Sequence, residues 1–461
     1  MTHANFSSLK LKQGLLENLE TLGYLNMTPI QSQSIPLILD GKDVIAQAKT
    51  GSGKTAAFGL GLLQNLEVKR FRVQTLVLCP TRELADQVAK EVRRLARGIH
   101  NIKVLTLCGG KPFGPQIGSL EHGAHIIVGT PGRVEEHLTK GSLNLDHLNT
   151  FVLDEADRML EMGFQSALDA IVDFAPRERQ TLLFSATFPD QIASIANKIM
   201  KQPERVHAAE AHSTETIKQH FYKVDDNDHR MIAVRLLLQK HRPKSAIIFC
   251  NTKIETQDVA DELFGRGFSA MAIHGDLDQK DRDQVLVRFA SKSISVLVAT
   301  DVAARGLDID TLNLVINYHL SRDSEVHVHR VGRTGRAGNS GMACSLYSEK
   351  ESYKLSVIEQ ENNLKIKPEE LPSINHLDKP IDSPAMVCFQ IDGGKKQKLR
   401  AGDILGALTS EGGIAGDQVG KINLFDNRAY VAVEVSVANV AFDKLSDGKM
   451  KGRSFRVRWM R

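Results

Sequence analysis

The chain has 461 residues, of which 42% are hydrophobic and 25% charged, and its net charge is only +4. A chain of this length makes two or three domains. The small net charge excludes a polyanion binder that works by bulk electrostatics, so any basic surface has to be local. No apolar run is long enough to cross a membrane and the first residues carry no signal-peptide pattern, which excludes a membrane-spanning role and points to the cytoplasm. The five cysteines, Cys79, Cys108, Cys250, Cys344 and Cys388, are dispersed in apolar runs and fit neither a disulfide framework nor a zinc spacing.

In chain order, the first strong signal is an apolar run at 44–46 followed by Ala48-Lys49-Thr50-Gly51-Ser52-Gly53-Lys54-Thr55 and then Ala56-Ala57-Phe58-Gly59-Leu60. Strand, glycine loop and helix together make a phosphate-binding loop. Gly51 and Gly53 permit the tight turn that aims successive N–H groups at phosphate oxygens, and the helix adds the positive end of its dipole. Lys54 supplies a point charge for the β- and γ-phosphates, and Thr55 a hydroxyl for Mg²⁺. Apolar runs at 75–78, 104–107, 126–128, 151–153 and 182–184 alternate with helix-length segments, the pattern of a parallel sheet covered on both faces. The run 151–153 ends in Asp154-Glu155-Ala156-Asp157, at the strand end where open α/β sheets bind ligands. Asp154 is placed to hold Mg²⁺, and Glu155 to orient or deprotonate an attacking water. Acids at a strand end are often solvated turn residues; the glycine loop upstream favours catalysis.

A second series of apolar runs, at 246–249, 270–273, 296–299, 314–317 and 342–346, makes a second α/β domain with no phosphate loop. The polar stretch 202–216 joins the two. Pro368, Pro372, Pro380 and Pro384 rule out a helix over 367–384 and favour an extended tether. Beyond it, strand-like 386–391, 430–435 and 454–459 and helix-like 403–409 and 442–445 suit the ferredoxin-like fold of an RRM. The expected division is 1–208, 216–366, linker 367–384 and 385–461.

The Asp-Glu-Ala-Asp tetrapeptide is the signature of the DEAD-box RNA helicases, and the chain resembles that family from Phe6 to about Gly341. The resemblance implies two tandem RecA-like parallel-sheet domains that hydrolyse ATP when bound to RNA. Gly23-Tyr24 and Thr28-Pro29-Ile30-Gln31, with Phe6 upstream, look like the motif that holds adenine; a glutamine amide offers one donor and one acceptor to the N6/N7 edge. Pro80-Thr81-Arg82, Gly109-Gly110 and Thr130-Pro131-Gly132-Arg133 match the RNA-backbone motifs of the first domain. Ser185-Ala186-Thr187 matches the motif that couples nucleotide state to closure, acting with Asp157 and His329. In the second domain, Phe249-Cys250-Asn251-Thr252, Gln279 with Arg282, and the stretch from Thr300 to Asp308 match in turn, with Gln279, Arg282 and Thr300 on RNA and Asp308 at the nucleotide. His329-Arg330-Val331-Gly332-Arg333-Thr334-Gly335-Arg336 makes Arg333 and Arg336 arginine fingers, suited to charge spread over equatorial phosphate oxygens. Two departures stand out: Ala48 opens the phosphate loop, this family's own variant, and His327 stands where many members carry tyrosine.

In the C-terminal domain only Tyr430 is a plausible base stacker, because Arg428 and Val433 occupy the other aromatic positions of the RRM pattern. Basic residues gather in two places instead: Lys395, Lys396, Lys398 and Arg400, then Lys449, Lys451, Arg453, Arg456, Arg458 and Arg461. These clusters favour a nucleic-acid surface, with Lys449, Lys451 and Arg453 as the reading edge. The layout resembles the DbpA-type branch of the family, which implies as partners a hairpin of large-subunit ribosomal RNA and pre-ribosomal particles. ATP and Mg²⁺ are the implied cofactors. An RNA clamp with negligible turnover and a small-molecule kinase are the rivals; Glu155, Arg333 and Arg336 oppose the first and the second domain opposes the other.

Overall fold

In the computed structural model, residues 5–48, 51–188, 190–207, 217–304, 312–321, 324–335, 341–362 and 364–460 are described. They form two compact units. The first unit is built on β1 (Val44–Gln47), β2 (Thr75–Leu78), β3 (Val104–Leu107), β4 (Ile126–Gly129), β5 (Thr150–Asp154), β6 (Gln180–Ser185) and β7 (Glu204–His207). All pair in parallel, in the order β3-β4-β2-β5-β6-β1-β7. The inner strands β2, β4 and β5 are buried throughout, so their side chains feed two hydrophobic layers, one on each face.

The second unit carries β8 (Ile217–Lys223), β9 (Ala246–Cys250), β10 (Ala270–Ile273), β11 (Val296–Thr300), β12 (Leu314–Asn317), β13 (Gly341–Tyr347) and β14 (Pro368–Glu369). Their order is β10-β11-β9-β12-β13-β8-β14, again all parallel. A third sheet follows: β15 (Met386–Ile391), β16 (Val419–Leu424), β17 (Ala429–Glu434) and β18 (Val457–Met460), antiparallel in the order β16-β17-β15-β18. Helix Ala401–Thr409 follows β15 and helix Ala438–Asp447 follows β17, which completes a ferredoxin-like β-α-β-β-α-β domain.

The strands that the apolar-run reading passes over are β7, β8, β14 and β16. In β7 only Val206 is buried, and every residue of β16 is at least partly exposed. These strands lie at or next to sheet edges, where one face or one ladder meets solvent and a continuous apolar run is not needed.

The linker holds no α-helix but is not extended throughout, since Ile374–Asp378 make a short 3-10 helix, and it is fastened to the second unit. Pro368 and Glu369 add a short strand to β8, and Glu369 Oε1 lies 2.7 Å from His220 Nδ1. Helix Asn227–His241 takes the rest. Gln239 Nε2 donates to the Lys379 carbonyl at 3.0 Å, and just beyond the helix Arg242 donates to the Pro380 carbonyl at 2.9 Å and to Asp382 at 2.8 Å. Leu371 and Ile381 pack on the same core. The free tether expected from composition is therefore a strap; extended chain is cheap to bind because little backbone freedom remains to be lost after each proline.

The third sheet is also covered on its outer face. Side chains alternate across a strand, so Cys388, Gln390, Tyr430 and Ala432 share the face away from the domain's own helices. All four are buried. Val287 of helix Gln279–Ala290 packs on Cys388 and Tyr430, and Gln284 Nε2 reaches Met460 Sδ at 3.5 Å. Tyr430 is 1% exposed and sits edge-on to Phe425. It cannot offer a stacking face to a base, which removes the one stacker left by the sequence pattern.

His327 is buried too, at 1% exposure, on helix Ser324–Val331. Its Nε2 meets Gln219 Oε1 at 3.0 Å and its ring stacks on Phe221, with centroids 6.0 Å apart. Burial, aided by the Arg330 charge, pushes its pKa down to about 4. The native chain keeps His327 neutral where the unfolded chain protonates it, so stability is complete above the ordinary histidine range and is lost as pH falls toward 4.

Two outcomes are expected. Tyr430→Ala should destabilise the chain by about 3–5 kcal/mol, read as a lower urea midpoint, with RNA affinity of the folded chain unchanged; lost RNA affinity at full stability would return the ring to base stacking. His327→Tyr should remove up to about 3 kcal/mol of acid destabilisation, measured as the difference between wild-type and variant urea midpoints across a pH series.

Candidate nucleotide and RNA site

The phosphate loop leaves β1 with the Ala48 N–H donating to the Ser185 carbonyl at 3.0 Å. Gly51 and Gly53 take left-handed φ of 86° and 94°, which only glycine adopts without strain. Helix Lys54–Gln64 begins directly after. Lys54 is 6% exposed and its Nζ donates to the Ala48 carbonyl at 2.7 Å, so the ammonium lies folded into its own loop. Thr55 stands half-buried in the first helical turn, and the Ser52 hydroxyl is buried with no partner. Lys49 and Thr50 lie outside the described residues.

Gln31 is tied to this loop. Its Oε1 accepts from the Thr28 N–H at 2.8 Å, its Nε2 donates to the Gly53 carbonyl at 3.1 Å, and the Thr28 hydroxyl donates to the Ser52 carbonyl at 2.7 Å. A Cβ on Gly53 would lie 2.4 Å from Gln31 Nε2, so this close approach is a second reason for glycine there. The structure does not present Phe6 or Tyr24 in the same way. Phe6 is 2% exposed in the core and packs edge-to-face on Tyr24, whose hydroxyl donates to Glu91 at 2.8 Å. Both rings buttress the first helices, and only Gln31 of that expected trio touches the loop.

The acids stand beside it, on β5, two strands from β1. Asp154 is 3% exposed, and its Oδ1 has no partner. Burial pushes its pKa up to about 7, against the pull of the Lys54 charge and with a further push from Glu155. Glu155 adopts φ 54° and ψ 53°, a left-handed conformation that costs a non-glycine residue and that concentrates at functional sites. Helix Ala156–Glu161 starts there. Asp157 works differently: its Oδ2 accepts from the Ala186 N–H at 3.1 Å, the Thr187 N–H at 2.9 Å and the Thr187 hydroxyl at 3.1 Å. Its own N–H donates to the Ser185 hydroxyl at 3.3 Å. The last acid of the tetrapeptide is thus the latch on the turn that ends β6.

The loops after β2, β3 and β4 gather at the same carboxyl edge. Thr81 caps helix Arg82–Leu95 by accepting from the Leu84 N–H at 3.2 Å, directly after Pro80. The Arg82 guanidinium lies on Gly110, where an added Cβ would be 2.0 Å from Nη1 and where φ is 72°. Thr130 and Pro131 open helix Pro131–Thr139. Arg133 is largely committed: it donates to the Lys111 carbonyl at 2.9 Å and Gln116 Oε1 at 3.0 Å, and pairs with Glu136 at 3.0 Å. That arginine braces the neighbouring glycine loop.

In the second unit, Gln279 Nε2 donates to Asp283 at 2.9 Å, Arg282 donates to the His274 carbonyl at 3.3 Å, and the Thr300 hydroxyl accepts from the Ala303 N–H at 3.4 Å. His329 and Arg333 are partly exposed. Asp308 and Arg336 lie outside the described residues. Sequence reasoning missed Arg330, which is 1% exposed and ion-paired to Asp301. The signal was available: Ser324, His327 and Arg330 recur at helical spacing on one buried face.

The C-terminal basic clusters, far apart in sequence, are neighbours in the fold. Lys451 Nζ donates to the Lys398 carbonyl at 3.0 Å. A tight turn, with φ of 55° at Lys451 and 76° at Gly452, presents Lys451 and Arg453 outward while Met450 anchors it at 1% exposure. Lys395, Lys396, Lys398, Arg400 and Lys449 are all exposed around it.

The comparisons with known proteins agree with this geometry. The chain matches the DEAD/DEAH box helicase family over residues 28–195, the helicase conserved C-terminal domain over 228–338 and the DbpA RNA binding domain over 388–459. It is 52% identical to the ATP-dependent RNA helicase DbpA of Escherichia coli across 99% of both chains, and 37% identical to that of Bacillus subtilis across 98% of this chain and 99% of the other. Among solved structures it is similar to Saccharomyces cerevisiae Dbp5 bound to RNA and ADP BeF3, with a TM-score of 0.71 and 30% identity over 79% of this chain and 95% of that one. With a phosphate loop, a latched acid strand and a match that spans all three sheets, the chain belongs to the DbpA-type DEAD-box RNA helicases and is an ATP-dependent RNA helicase.

Proposed function

We propose that Lys54 and the phosphate-loop amides bind the ATP phosphates, that Glu155 positions and deprotonates the attacking water, and that Asp157 reports the nucleotide state to the Ser185–Thr187 turn. The observation that carries this reading is the Asp157 carboxylate, which takes three hydrogen bonds from that turn. Because Glu155 lies in the chain between Asp154 and the Asp157 that holds the turn, a phosphate that shifts one would shift the others. Lys54 leaves the Ala48 carbonyl for the β- and γ-phosphates, an exchange of one charged hydrogen bond for a stronger one. Gln31 reads adenine with the amide that now holds Gly53, so a bound base would alter the loop. Arg333 and Arg336, from the second unit, neutralise the γ-phosphate in the transition state.

Asp154 and Thr55 are the residues to hold Mg²⁺. The fit rests on the Asp154 Oδ1, a buried acceptor with no partner. Among the described residues no group of three or more His, Cys, Asp or Glu could hold a metal ion. Held by Asp154 and Thr55, Mg²⁺ would offset the negative charge of the phosphates.

RNA is gripped through its backbone by Pro80, Thr81, Arg82, Gly110, Thr130, Pro131, Gln279, Arg282 and Thr300, with Arg133 as brace, which makes the grip independent of sequence. Sequence choice belongs to the C-terminal domain, and the joined basic loops at Lys398 and Lys451 are its reading surface. By likeness to its relatives, the target is a large-subunit ribosomal RNA hairpin in assembling particles. This reading includes residence in the cytoplasm, which the five free, buried cysteines support.

Glu155→Gln should retain ATP and RNA while RNA-stimulated hydrolysis falls by about 10²–10⁴-fold; unimpaired turnover would move the base elsewhere. Replacing Lys449, Lys451 and Arg453 together by Ala should weaken hairpin binding and flatten its dependence on salt by roughly 0.7–0.9 of a log unit per lost phosphate contact. A salt series with the ribosomal hairpin measures this, and an unchanged slope would place the RNA on another face.

A further inference from the structure

Arg330 is a buried, heavily engaged side chain at the second sheet's carboxyl edge. Its Nε and Nη2 fork onto Asp301 at 2.6 and 2.8 Å. Nη2 also donates to Asn251 Oδ1 at 3.2 Å, and Nη1 donates to the His319 carbonyl at 2.8 Å and to Asn317 Oδ1 at 3.5 Å. The Phe249 ring lies 5.2 Å from the guanidinium carbon. One buried cation therefore ties together the strand ends of β9, β11 and β12.

Its two chain neighbourhoods are the functional ones. Asp301 directly follows Thr300 and opens helix Asp301–Ala304. In the other direction, the Arg333 N–H donates to the Arg330 carbonyl at 3.1 Å, and the Leu312 N–H donates to the Arg333 carbonyl at 3.3 Å. Arg333 thus leaves a turn whose base is the pinned Arg330. A change at Thr300 that moves Asp301 drags the guanidinium, and with it the turn.

We propose that Arg330 is a positioning residue, which through its fork on Asp301 sets the place of Arg333 according to how RNA holds Thr300. The proposal rests on the roles assigned above to Thr300 and Arg333. Arginine is needed because only a planar fork fixes orientation as well as distance; a lysine keeps the charge and loses the alignment. Misplacement of a catalytic group by about 1 Å is enough to cost about 10²-fold in rate.

The test compares Arg330→Lys, Asp301→Asn, their double variant and Arg333→Ala in the full chain. Arg330→Lys should keep wild-type ATP affinity without RNA and nearly wild-type KM for RNA, while turnover at saturating RNA falls by about 10²-fold. Asp301→Asn should lose turnover in the same way, and the double variant should be no worse than the poorer single, as expected for one shared link. Wild-type turnover in Arg330→Lys overturns the proposal, as does a loss no larger than the drop in folded fraction read from its melting curve, since that is all a purely structural ion pair would give. Should Arg330→Lys not fold, Asp301→Asn decides alone: wild-type turnover there overturns the link. Wild-type turnover in Arg333→Ala would instead fault the finger assignment.

Discussion

A parallel sheet buried on both faces has no place for a charge except beyond its strand ends. That constraint arranges everything functional in the first two sheets. Asp154, Asp157, Ser185, Thr81 and Thr130 all lie at or just past the carboxyl ends of strands that are otherwise apolar. Because every strand points the same way, loops from distant parts of the chain meet along one edge. The helices that follow those loops begin there too, with their unpaired N–H groups facing the same side. A site for phosphates and for an RNA backbone is then a consequence of the topology, and the residues refine it.

The same constraint explains why the edge is so heavily cross-braced. Asp157 holds the Ser185–Thr187 turn, Gln31 holds Gly53, Arg133 holds the 111 carbonyl and Arg330 holds three strand ends. Each brace is a buried or half-buried polar group whose hydrogen bonds would be costly to leave unmade. Loops linked this way move together or not at all, which is what coupling between nucleotide and RNA requires. Glu155, in its left-handed conformation, carries backbone strain at the position proposed to handle the attacking water.

The third sheet departs from the way an RRM commonly binds RNA. Its outer face is packed on helix Gln279–Ala290, the helix that begins with Gln279 and carries Arg282. Tyr430 serves that packing. With the sheet closed and the linker strapped along helix Asn227–His241, the basic loops around Lys398 and Lys451 are held in a set orientation to the second RecA-like domain. On the proposal that these loops choose the RNA, the choice would be exerted through geometry more than through the raised local concentration a loose tether would give.

The phosphate loop, the acid strand and the rhythm of buried strands were legible in the chain alone because each depends on local chemistry: glycine where φ is positive, apolar runs where both faces are covered, acids just past a strand. The ferredoxin-like order of the last domain was legible for the same reason, although its edge strand β16, with every residue at least partly exposed, left too weak a pattern to be seen. What only the tertiary structure decided were pairings between residues far apart in sequence. Nothing local distinguishes Phe6 in a core from Phe6 on a base, Tyr430 under a helix from Tyr430 under a nucleotide, or a proline-rich tether from a strap. Nor does the run of arginines from 330 to 336 show that the first is a buried knot and Arg333 partly exposed. Burial and partner choice are set by packing across the whole unit, and a sequence window carries that information only where its own periodicity happens to reveal the buried face.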